Sequence, residues 1–588
     1  MKEIFIGENN LTGKDVLITD KDRSVHMHVI GTSGKGKSKF LEHMIEQDIR
    51  NRQGLILVDP HGDLYDAIVK YCVRQRIPAK DVVIIDPNED DWAFGLNYLE
   101  YDPAIRTASS HTSEVMKGIA KVFGGEQIET MPQLQRWERD ALTALVEGRL
   151  TVTELNPFMR YEYIRQILIQ RVENREVVEE WDYFETLTKS TKESYSGAIF
   201  NRANKFTINP NMKRIFGQIK STIDFREAMD KGKIILCNLS ALKISKEEQQ
   251  ILGIAILDKI IQAGLSRANI TEYRRKPFYV YLDEFGLFVS DDIATALQQL
   301  RKFNVRFVLA HQELEQLKQE GRTVQRVLKA VLSEPGIRVS FAISHDDAEI
   351  LCREMFAGMF RTDRVKDEIS QTKFWPKETT RIIKGRTETE SESEGEGSSS
   401  SSGSISMERD GFSYSAQAGS IMGALGIPMT GIYNFSEGSG LAESYSNSQS
   451  SFRGSSRGTA YSETTVPFYE FEPFKEVSSR TYYSVDDFKE KFIAWLQTQP
   501  GRRAQIKIGT QRPQPIVTPF VEEVLVRQKD VAAFKEKVFQ NCALPAPRVD
   551  QMIEERRAEF LKEAETLGLV EPQFDVLEMT PESMRHKV

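Results

Sequence analysis

Residues 31–38 of the 588-residue chain read Gly31-Thr32-Ser33-Gly34-Lys35-Gly36-Lys37-Ser38. This run satisfies the pattern G-x-x-x-x-G-K-[ST], in which glycines let backbone N–H groups converge on phosphate oxygens. An apolar stretch at residues 25–30 precedes it and a helical pattern follows from Lys37, which predicts a strand, a phosphate-binding loop and a helix. We expect Lys37 to reach the β- and γ-phosphates of ATP and the Ser38 hydroxyl to bind Mg²⁺.

A second acidic site is expected at the end of another buried strand. Residues 278–282 are Phe-Tyr-Val-Tyr-Leu, and Asp283 and Glu284 follow directly. Asp283 is predicted to orient the Mg²⁺ shell and Glu284 to polarise the attacking water, so the pair favours hydrolysis over simple binding.

A third strand, residues 307–310, ends at His311 and Gln312. Gln312 is predicted to lie beside the γ-phosphate and to report hydrolysis to the rest of the domain. His311 could alternatively be a packing histidine. His26 and His28 have the spacing of a metal pair on one face of a strand, but no third ligand is evident, so we interpret both as structural.

The strand and helix patterns predict an α/β fold with a mostly parallel sheet and an all-α insertion domain. We expect the following segments: the first part of the ATPase core (1–104), the all-α insertion (105–205), the second part of the core (206–389), a Ser/Gly-rich flexible segment (390–465), a return to the core (466–525) and a helical C-terminal tail (526–588).

Composition limits the class of protein and its surroundings. Hydrophobic residues make up 40% of the chain, charged residues 28%, and the net charge is −8. These values are typical of a globular protein and disfavour one that coats nucleic acid with a basic face. No apolar run is long enough for a membrane span, no secretory signal is evident, and the four cysteines form no CxxC pair. We therefore expect a cytoplasmic protein, with a peripheral place at the inner face of the membrane left open.

The segment Leu57-Val-Asp59-Pro-His-Gly-Asp63-Leu64, taken together with the motifs above, resembles the HerA/FtsK superfamily of ring-forming DNA-pumping ATPases. Within it, the chain is similar to type IV secretion coupling proteins and their HerA-like relatives. Further segments carry the likeness: Phe94-Gly-Leu-Asn97, Ile223-Asp-Phe-Arg226, Lys231-Gly-Lys-Ile-Ile-Leu-Cys-Asn-Leu239, Asp283-Glu-Phe-Gly286, Leu300-Arg-Lys-Phe-Asn-Val305 and Ala310-His-Gln312. The resemblance covers residues 1–375 and, more weakly, 466–525.

The resemblance implies that the core is a RecA-like P-loop core of the ASCE type. It also implies a homohexamer that binds ATP and Mg²⁺ at subunit borders and moves double-stranded DNA. Two departures stand out: the chain lacks the N-terminal membrane helices usual in coupling proteins, and the family's trans-acting arginine position is Ala342. Arg338 is the nearest candidate arginine finger on that strand, and an exposed, solvated arginine is the alternative. Two basic clusters, residues 274–276 and residues 301–306, are candidate DNA contacts or simply solvated faces.

Three functions remain open from sequence. The preferred one is a DNA translocase that couples a relaxase to a secretion channel in conjugative or type IV secretion-linked transfer. The first alternative is a HerA-like translocase that works with a nuclease in DNA repair or phage defence. The second is an ATPase that powers protein export and does not bind DNA.

Overall fold

A computed structural model describes residues 3–122, 132–288, 291–317, 322–391 and 456–570 of the chain. The chain divides into two compact units. The first unit consists of Met1–Thr362 and Ser484–Val588, and the second of Asp363–Tyr483.

The first unit is built on one large mixed sheet. Its strands are β1 (Glu3–Asn9), β2 (Asp15–Thr19), β3 (Met27–Ile30), β4 (Gly54–Asp59), β5 (Val82–Ile85), β7 (Ile234–Asn238), β8 (Phe278–Leu282), β9 (Val305–His311), β10 (Ile337–Ser340), β13 (Arg503–Ile508) and β14 (Gln514–Val517). A separate two-stranded pairing joins β6 (Trp92–Ala93) to β15 (Leu544–Pro545).

The strand order across the large sheet is β2-β1-β14-β13-β10-β3-β9-β8-β4-β7-β5. The strands from β10 to β5 are parallel, and the four on the other side are antiparallel. Strands β4, β5, β7, β8 and β9 are buried along their whole length, as expected for a parallel sheet covered on both faces. Strand β9 lies between β3 and β8, which is the arrangement of an ASCE-type, RecA-like core. The predicted fold class is confirmed.

Helices cover this sheet and form the insertion. They are α1 (Lys37–Arg50), α2 (Asp63–Arg74), α3 (Ala108–Val122), α4 (Pro132–Glu147), α5 (Leu155–Arg160), α6 (Glu162–Ile169), α7 (Arg175–Thr186), α8 (Lys189–Thr207), α9 (Pro210–Phe216), α10 (Phe225–Lys231), α11 (Lys246–Ser266), α12 (Asp291–Gln299), α13 (Arg322–Ser333) and α14 (His345–Phe356).

The stretch between β6 and β7 contains the helices α3 to α10, and no strand is present there among the described residues. Aromatic packing holds its centre together: the ring centroids of Trp137 and Phe184 are 4.9 Å apart, and those of Phe158 and Trp181 are 4.8 Å apart. This is the all-α insertion, and it belongs to the same compact unit as the sheet.

The C-terminal part adds β13, β14 and three helices to the first unit. The helices are α15 (Val485–Gln497), α16 (Gln528–Cys542) and α17 (Ala546–Thr566). Ser484 and Asp487 form a complete capping box at the start of α15, a pattern that consecutive residues alone specify. Helix α17 is tied to the insertion by Arg556, whose guanidinium donates to the Glu154 carboxylate at 2.6 Å.

The second unit is a long antiparallel ribbon of β11 (Val365–Ser391) and β12 (Ser456–Tyr482). The sequence-based boundaries were wrong here. The core does not extend to residue 389 and does not resume at Val466; it ends at Thr362 and resumes at Ser484. Residues 466–482 are ordered, but they pair with β11 rather than with the core sheet to which the sequence analysis assigned them. Most of the Ser/Gly-rich segment, residues 392–455, lies outside the described residues.

Within the described ranges, no helix combines the length and the hydropathy needed to cross a membrane. The four cysteines, Cys72, Cys237, Cys352 and Cys542, are buried and unpaired, as expected from their spacing.

Candidate functional site

The loop of residues 31–38 connects β3 to α1 at the carboxyl edge of the parallel strands. Gly36 is the residue before α1 and has a φ of 106°. Gly34 has a φ of 75°, and, its two chain neighbours apart, no atom of the described residues lies within 4 Å of the point that a Cβ on this residue would occupy. Both conformations favour glycine. Among the described residues no side chain caps the amino end of α1, and the first turn of this helix has no acidic residue. The helix N–H groups are therefore available to an anion.

Three predicted site residues converge on one oxygen atom. The Nζ atom of Lys37 lies 2.5 Å from Oε1 of Glu284, and Nε2 of Gln312 donates to the same oxygen at 2.9 Å. Lys37 and Glu284 are buried. The strand order β3-β9-β8 produces this convergence, because the carboxyl ends of three adjacent parallel strands meet at one edge of the sheet.

Asp283 lies beside this group and faces the loop. Its Oδ2 atom accepts a hydrogen bond from Oγ of Ser38 at 3.3 Å. Burial raises the pKa of Asp283 to about 6. The Lys37 ammonium lowers this pKa, whereas the carboxylates of Asp59 and Glu284 raise it. A hydroxyl and a carboxylate side by side are hard oxygen donors, which fit Mg²⁺.

Glu284 has a φ of 44°, a left-handed conformation that is uncommon for a residue other than glycine. It follows β8 directly, where the chain turns out of the sheet. Such backbone conformations are costly and persist at functional sites when the surrounding contacts enforce them. Here the ion pair with Lys37 and the hydrogen bond from Gln312 hold the side chain in place.

Asp59, in the distinctive segment after β4, organises the start of α2. Its carboxylate accepts hydrogen bonds from the backbone N–H groups of His61 at 2.9 Å and Tyr65 at 2.8 Å. Gly62 adopts a φ of 89°, and a Cβ there would lie 3.0 Å from Oδ1 of Asn238. The segment therefore shapes the edge of the sheet next to Asp283, and His61 and Asp63 remain exposed there.

His28 and His311 join the loop strand to the Gln312 strand. Their Nε2 atoms are 2.6 Å apart and their rings are stacked, with centroids 4.9 Å apart. Nδ1 of His311 donates to the Glu313 carbonyl at 2.9 Å, so His28 supplies the proton between the rings. Burial lowers the pKa of His28, and it lowers the pKa of His311 to about 3. Both rings are neutral at physiological pH, and His311 is a packing residue next to Gln312.

His26 also makes protein contacts. Its Nε2 atom donates to the Leu297 carbonyl at 2.7 Å, and its Nδ1 atom accepts from the Phe307 N–H at 3.0 Å. No group of three or more metal-ligating side chains occurs among the residues that the structure describes.

Asn97, from the Phe94–Asn97 motif, links the core to the insertion. Its side-chain amide donates to the carbonyls of Leu150 at 3.1 Å and Ile219 at 2.8 Å. Gly95 packs against Gln218, where a Cβ would come within 2.8 Å. This motif is structural: it fixes where the chain enters and leaves the insertion.

Arg338, the candidate arginine finger, lies on β10 opposite His28 of β3. Its guanidinium donates to the carbonyl of Leu332 in the same chain and is partly buried. Ala342, at the family's usual arginine position, contributes only its carbonyl, which accepts from the Thr32 N–H at 2.9 Å. Arg338 remains a prediction as the trans-acting arginine.

The two basic clusters form one patch, which does not lie beside Glu284 and Gln312. Both lie at the amino ends of β8 and β9, at the opposite edge of the sheet from Glu284 and Gln312. Arg275 joins them by donating to the Lys302 carbonyl at 2.6 Å. Arg306 is buried and donates to the Tyr279 hydroxyl at 2.7 Å, so it is not a surface contact. The exposed members, which we call the basic patch, are Arg274, Lys276, Arg301 and Lys302.

One contact to the loop was not anticipated. The backbone N–H of Arg502 donates to the carbonyl of Lys35 at 3.0 Å. Arg502 begins the returning C-terminal strands and is separated from the loop by most of the chain. The local sequence, a glycine and two arginines before a short strand, carries no signal of this contact.

One family model matches more than half of this chain. The family model described as "Type IV secretion-system coupling protein DNA-binding domain" matches residues 14–373. The type 4 coupling protein DotL of Legionella pneumophila is 22% identical over 372 residues, which is 53% of this chain and 46% of that protein. The chain thus spans about half the length of the curated relative that it matches.

Similar solved structures have low sequence identity. The unbound bacterial conjugative coupling protein TrwBdeltaN70 is 13% identical, with a TM-score of 0.47 over 88% of this chain and 89% of that one. VirB4 of Thermoanaerobacter pseudethanolicus is 14% identical, with a TM-score of 0.44 over 60% of this chain and 87% of that one. The fold assignment rests on the strand order and the loop described above.

Proposed function

Because this chain belongs to the family of type IV secretion-system coupling protein DNA-binding domains, we propose that it is an ATP-driven DNA translocase. The observation that supports this most directly is the convergence of Lys37 and Gln312 on the Glu284 carboxylate next to the phosphate-binding loop. The family match favours a role in secretion-linked DNA transfer, and nothing in the comparisons supports the nuclease-linked alternative.

The loop residues would hold the triphosphate of ATP. The uncapped N–H groups at the start of α1 and the Lys37 ammonium are the donors, and the Ser38 hydroxyl and Asp283 carboxylate would hold Mg²⁺. When bound, Mg²⁺ supplies positive charge that offsets the charge of the phosphates.

Glu284 is the general base in this proposal. Its Oε1 atom accepts from both Lys37 and Gln312, and it would be released from the ion pair when Lys37 turns toward phosphate. Gln312 would keep the carboxylate oriented during that exchange. The ion pair therefore couples nucleotide binding to activation of the base, which is catalysis by positioning and general base action.

Translocation needs a ring and a DNA contact. The loop lies at an open edge of the sheet, and we propose that a homohexamer completes each site with an arginine from the neighbouring subunit, Arg338 being the candidate. The basic patch is the proposed phosphate contact. Contacts with the DNA backbone carry no sequence information and weaken with salt.

The test is the ATPase rate with and without double-stranded DNA at about 50 and 200 mM salt, on particles imaged for ring size. We expect stimulation that is independent of sequence and fades with salt. Arg301→Gln with Lys302→Gln should reduce the stimulation, whereas the matched control, Arg76→Gln with Lys80→Gln near β5 at the same edge of the sheet, should not. An ATPase that responds to no DNA would favour the protein-export alternative, and only monomers with nucleotide and DNA would exclude the ring.

A further inference from the structure

A turn from the returning C-terminal segment packs directly against the phosphate-binding loop. The N–H of Arg503 donates to the Pro500 carbonyl at 3.1 Å, and the N–H of Arg502 donates to the Lys35 carbonyl at 3.0 Å. The Arg502 nitrogen is also only 3.5 Å from where a Cβ on Gly36 would lie. Arg502 itself has a φ of 66°. The turn of residues 500–503, which is far from the loop in sequence, therefore packs along one side of it, and we call this turn the second wall of the loop.

Arg502 and Thr518 fix each other in place. The Arg502 guanidinium donates twice to the Thr518 carbonyl, at 3.1 and 2.9 Å. In return, the N–H of Thr518 donates to the Arg502 carbonyl at 2.8 Å. These contacts hold the guanidinium 5.7 Å from the ring centroid of Phe520, which is 72% exposed. The result is an aromatic ring, supported by an arginine and open to solvent, beside the loop.

Phe520 also borders a cavity beside α1. The cavity has a volume of ≈ 220 Å³, and His43 and Glu46 of α1 line it together with Tyr71 and Phe520. Gly36 precedes His43 by seven residues, which is about 10 Å along a helix. A molecule anchored at the loop could thus extend along α1 to this ring.

We propose that Phe520, supported by Arg502, is the surface on which the base of the bound nucleotide stacks. This proposal rests on the proposed function, since it assigns a further part of the same site. The catalytic group of Lys37, Glu284 and Gln312 lies on the β9 and β8 side of β3. Arg502 and Phe520 belong to the segment of β13 and β14, on the other side of β3. A nucleotide whose terminal phosphate faces Glu284 directs its base away from that carboxylate, toward the second wall.

Stacking on the Phe520 ring determines which class of ligand this subsite accepts. Every nucleobase has a π-face, so an aromatic platform tolerates different bases. We expect the subsite to accept purine nucleotides in general, with ATP and GTP binding alike. The Arg502 guanidinium strengthens binding at the Phe520 ring, because an arginine near an aromatic ring adds attraction for a planar ligand.

The experiment compares two probes on the full-length protein with Mg²⁺: ADP, which has a base, and inorganic tripolyphosphate, which has none. Phe520→Ala should weaken ADP binding on the order of 10-fold and leave tripolyphosphate binding unchanged. Phe520→Trp should restore ADP binding. The matched control is Tyr273→Ala, which removes another exposed ring with an arginine at 5.7 Å, and it should change neither affinity.

The outcomes separate this proposal from the proposed function. If Phe520→Ala leaves the ADP affinity unchanged, or lowers the affinities for ADP and tripolyphosphate equally, the stacking subsite is wrong and the ATPase assignment stands. If the wild-type protein binds neither probe, the proposed function fails and the subsite fails with it. Lys37→Ala should weaken the binding of both probes, which shows that the phosphate part of the site is being measured.

Discussion

Lys37 and Glu284 form a buried ion pair, with Nζ 2.5 Å from Oε1, although 247 positions separate them in the chain. Lys37 belongs to the phosphate-binding loop and Glu284 follows the strand two places away in the sheet. Each charge compensates the other inside the protein. Removing one partner of such a buried pair lowers the free energy of unfolding by about 3–5 kcal/mol. The lysine proposed to bind phosphate and the carboxylate proposed to activate water thus contact each other in this structure.

Glu284→Gln should separate nucleotide binding from hydrolysis. The amide cannot accept a proton from water, and it releases Lys37, so we expect nucleotide affinity equal to or above that of the wild type and a turnover at least about 100-fold lower. Binding by calorimetry and single-turnover hydrolysis check this. Glu313→Gln, an exposed carboxylate on the same edge, is the control and should hydrolyse normally. Wild-type turnover in Glu284→Gln would disprove the assignment of the base.

Asp283→Asn should stabilise the nucleotide-free protein at pH 7.5. The pKa of Asp283 is raised from 3.8 to about 6, so the folded state binds more protons than the unfolded state between about pH 4 and 6. The contribution of the Asp283 carboxyl group to the free energy of unfolding is fully present below pH 4 and is lost as the pH rises through 6. We expect Asp283→Asn to raise the free energy of unfolding by on the order of 2 kcal/mol at pH 7.5 and to leave it unchanged near pH 4.

Urea unfolding of Asp283→Asn at the two pH values measures this difference. Asp63→Asn is the control, because Asp63 is exposed and should show no pH-dependent gain. The same Asp283 variant should bind nucleotide with reduced Mg²⁺ dependence. Equal stability of Asp283→Asn and the wild type at both pH values would contradict a raised pKa of the Asp283 carboxyl group.

The His28–His311 hydrogen bond should appear as a coupling energy. His28→Phe leaves the His311 acceptor without a donor, and His311→Phe leaves the His28 N–H without an acceptor. Each single variant therefore loses the bond and has an unpaired buried group, whereas the double variant has no unpaired partner. We expect the double variant to be more stable than the sum of the single effects by about 1–2 kcal/mol.

A second double-mutant cycle, between His26 and His311, provides the reference for the cycle between His28 and His311. His26 contacts Leu297 and Phe307, and its effect should add to that of His311 within about 0.5 kcal/mol. Additive behaviour in both cycles would mean that the short contact between the two Nε2 atoms does not contribute to stability.

Removal of the ribbon should leave the first unit intact. The N–H of Tyr483 donates to the Arg364 carbonyl at 3.1 Å, so the two ends of the ribbon are adjacent and a short Gly-Ser loop can join them. We expect a variant that lacks residues 365–482 to keep its melting temperature and basal ATP hydrolysis, because the ribbon is a separate compact unit. A thermal melt and an ATPase assay test this, with a variant that lacks only residues 392–455 alongside. A large fall in melting temperature would show that the ribbon supports the core.

The sequence alone was sufficient for the local parts of the site. Gly36, Lys37 and Ser38 work through backbone conformation and helix start, which depend on neighbouring residues only. The buried run of β8 followed by Asp283 and Glu284 was equally predictable, because a continuous apolar strand and a polar end are properties of consecutive residues. The same holds for the capping box at Ser484.

Only the tertiary structure decided which of these groups meet and where the chain continues. Strand order, set by packing across the whole sheet, brings Lys37, Glu284 and Gln312 to one oxygen atom and places Arg502 against Lys35. The change in composition near Val466 predicted that order resumes there but could not specify the partner of residues 466–482, since pairing with β11 or with the core requires the same local conformation. Likewise, a basic residue looks the same in sequence whether it is exposed, as Arg301 is, or buried against Tyr279, as Arg306 is, because burial depends on distant residues.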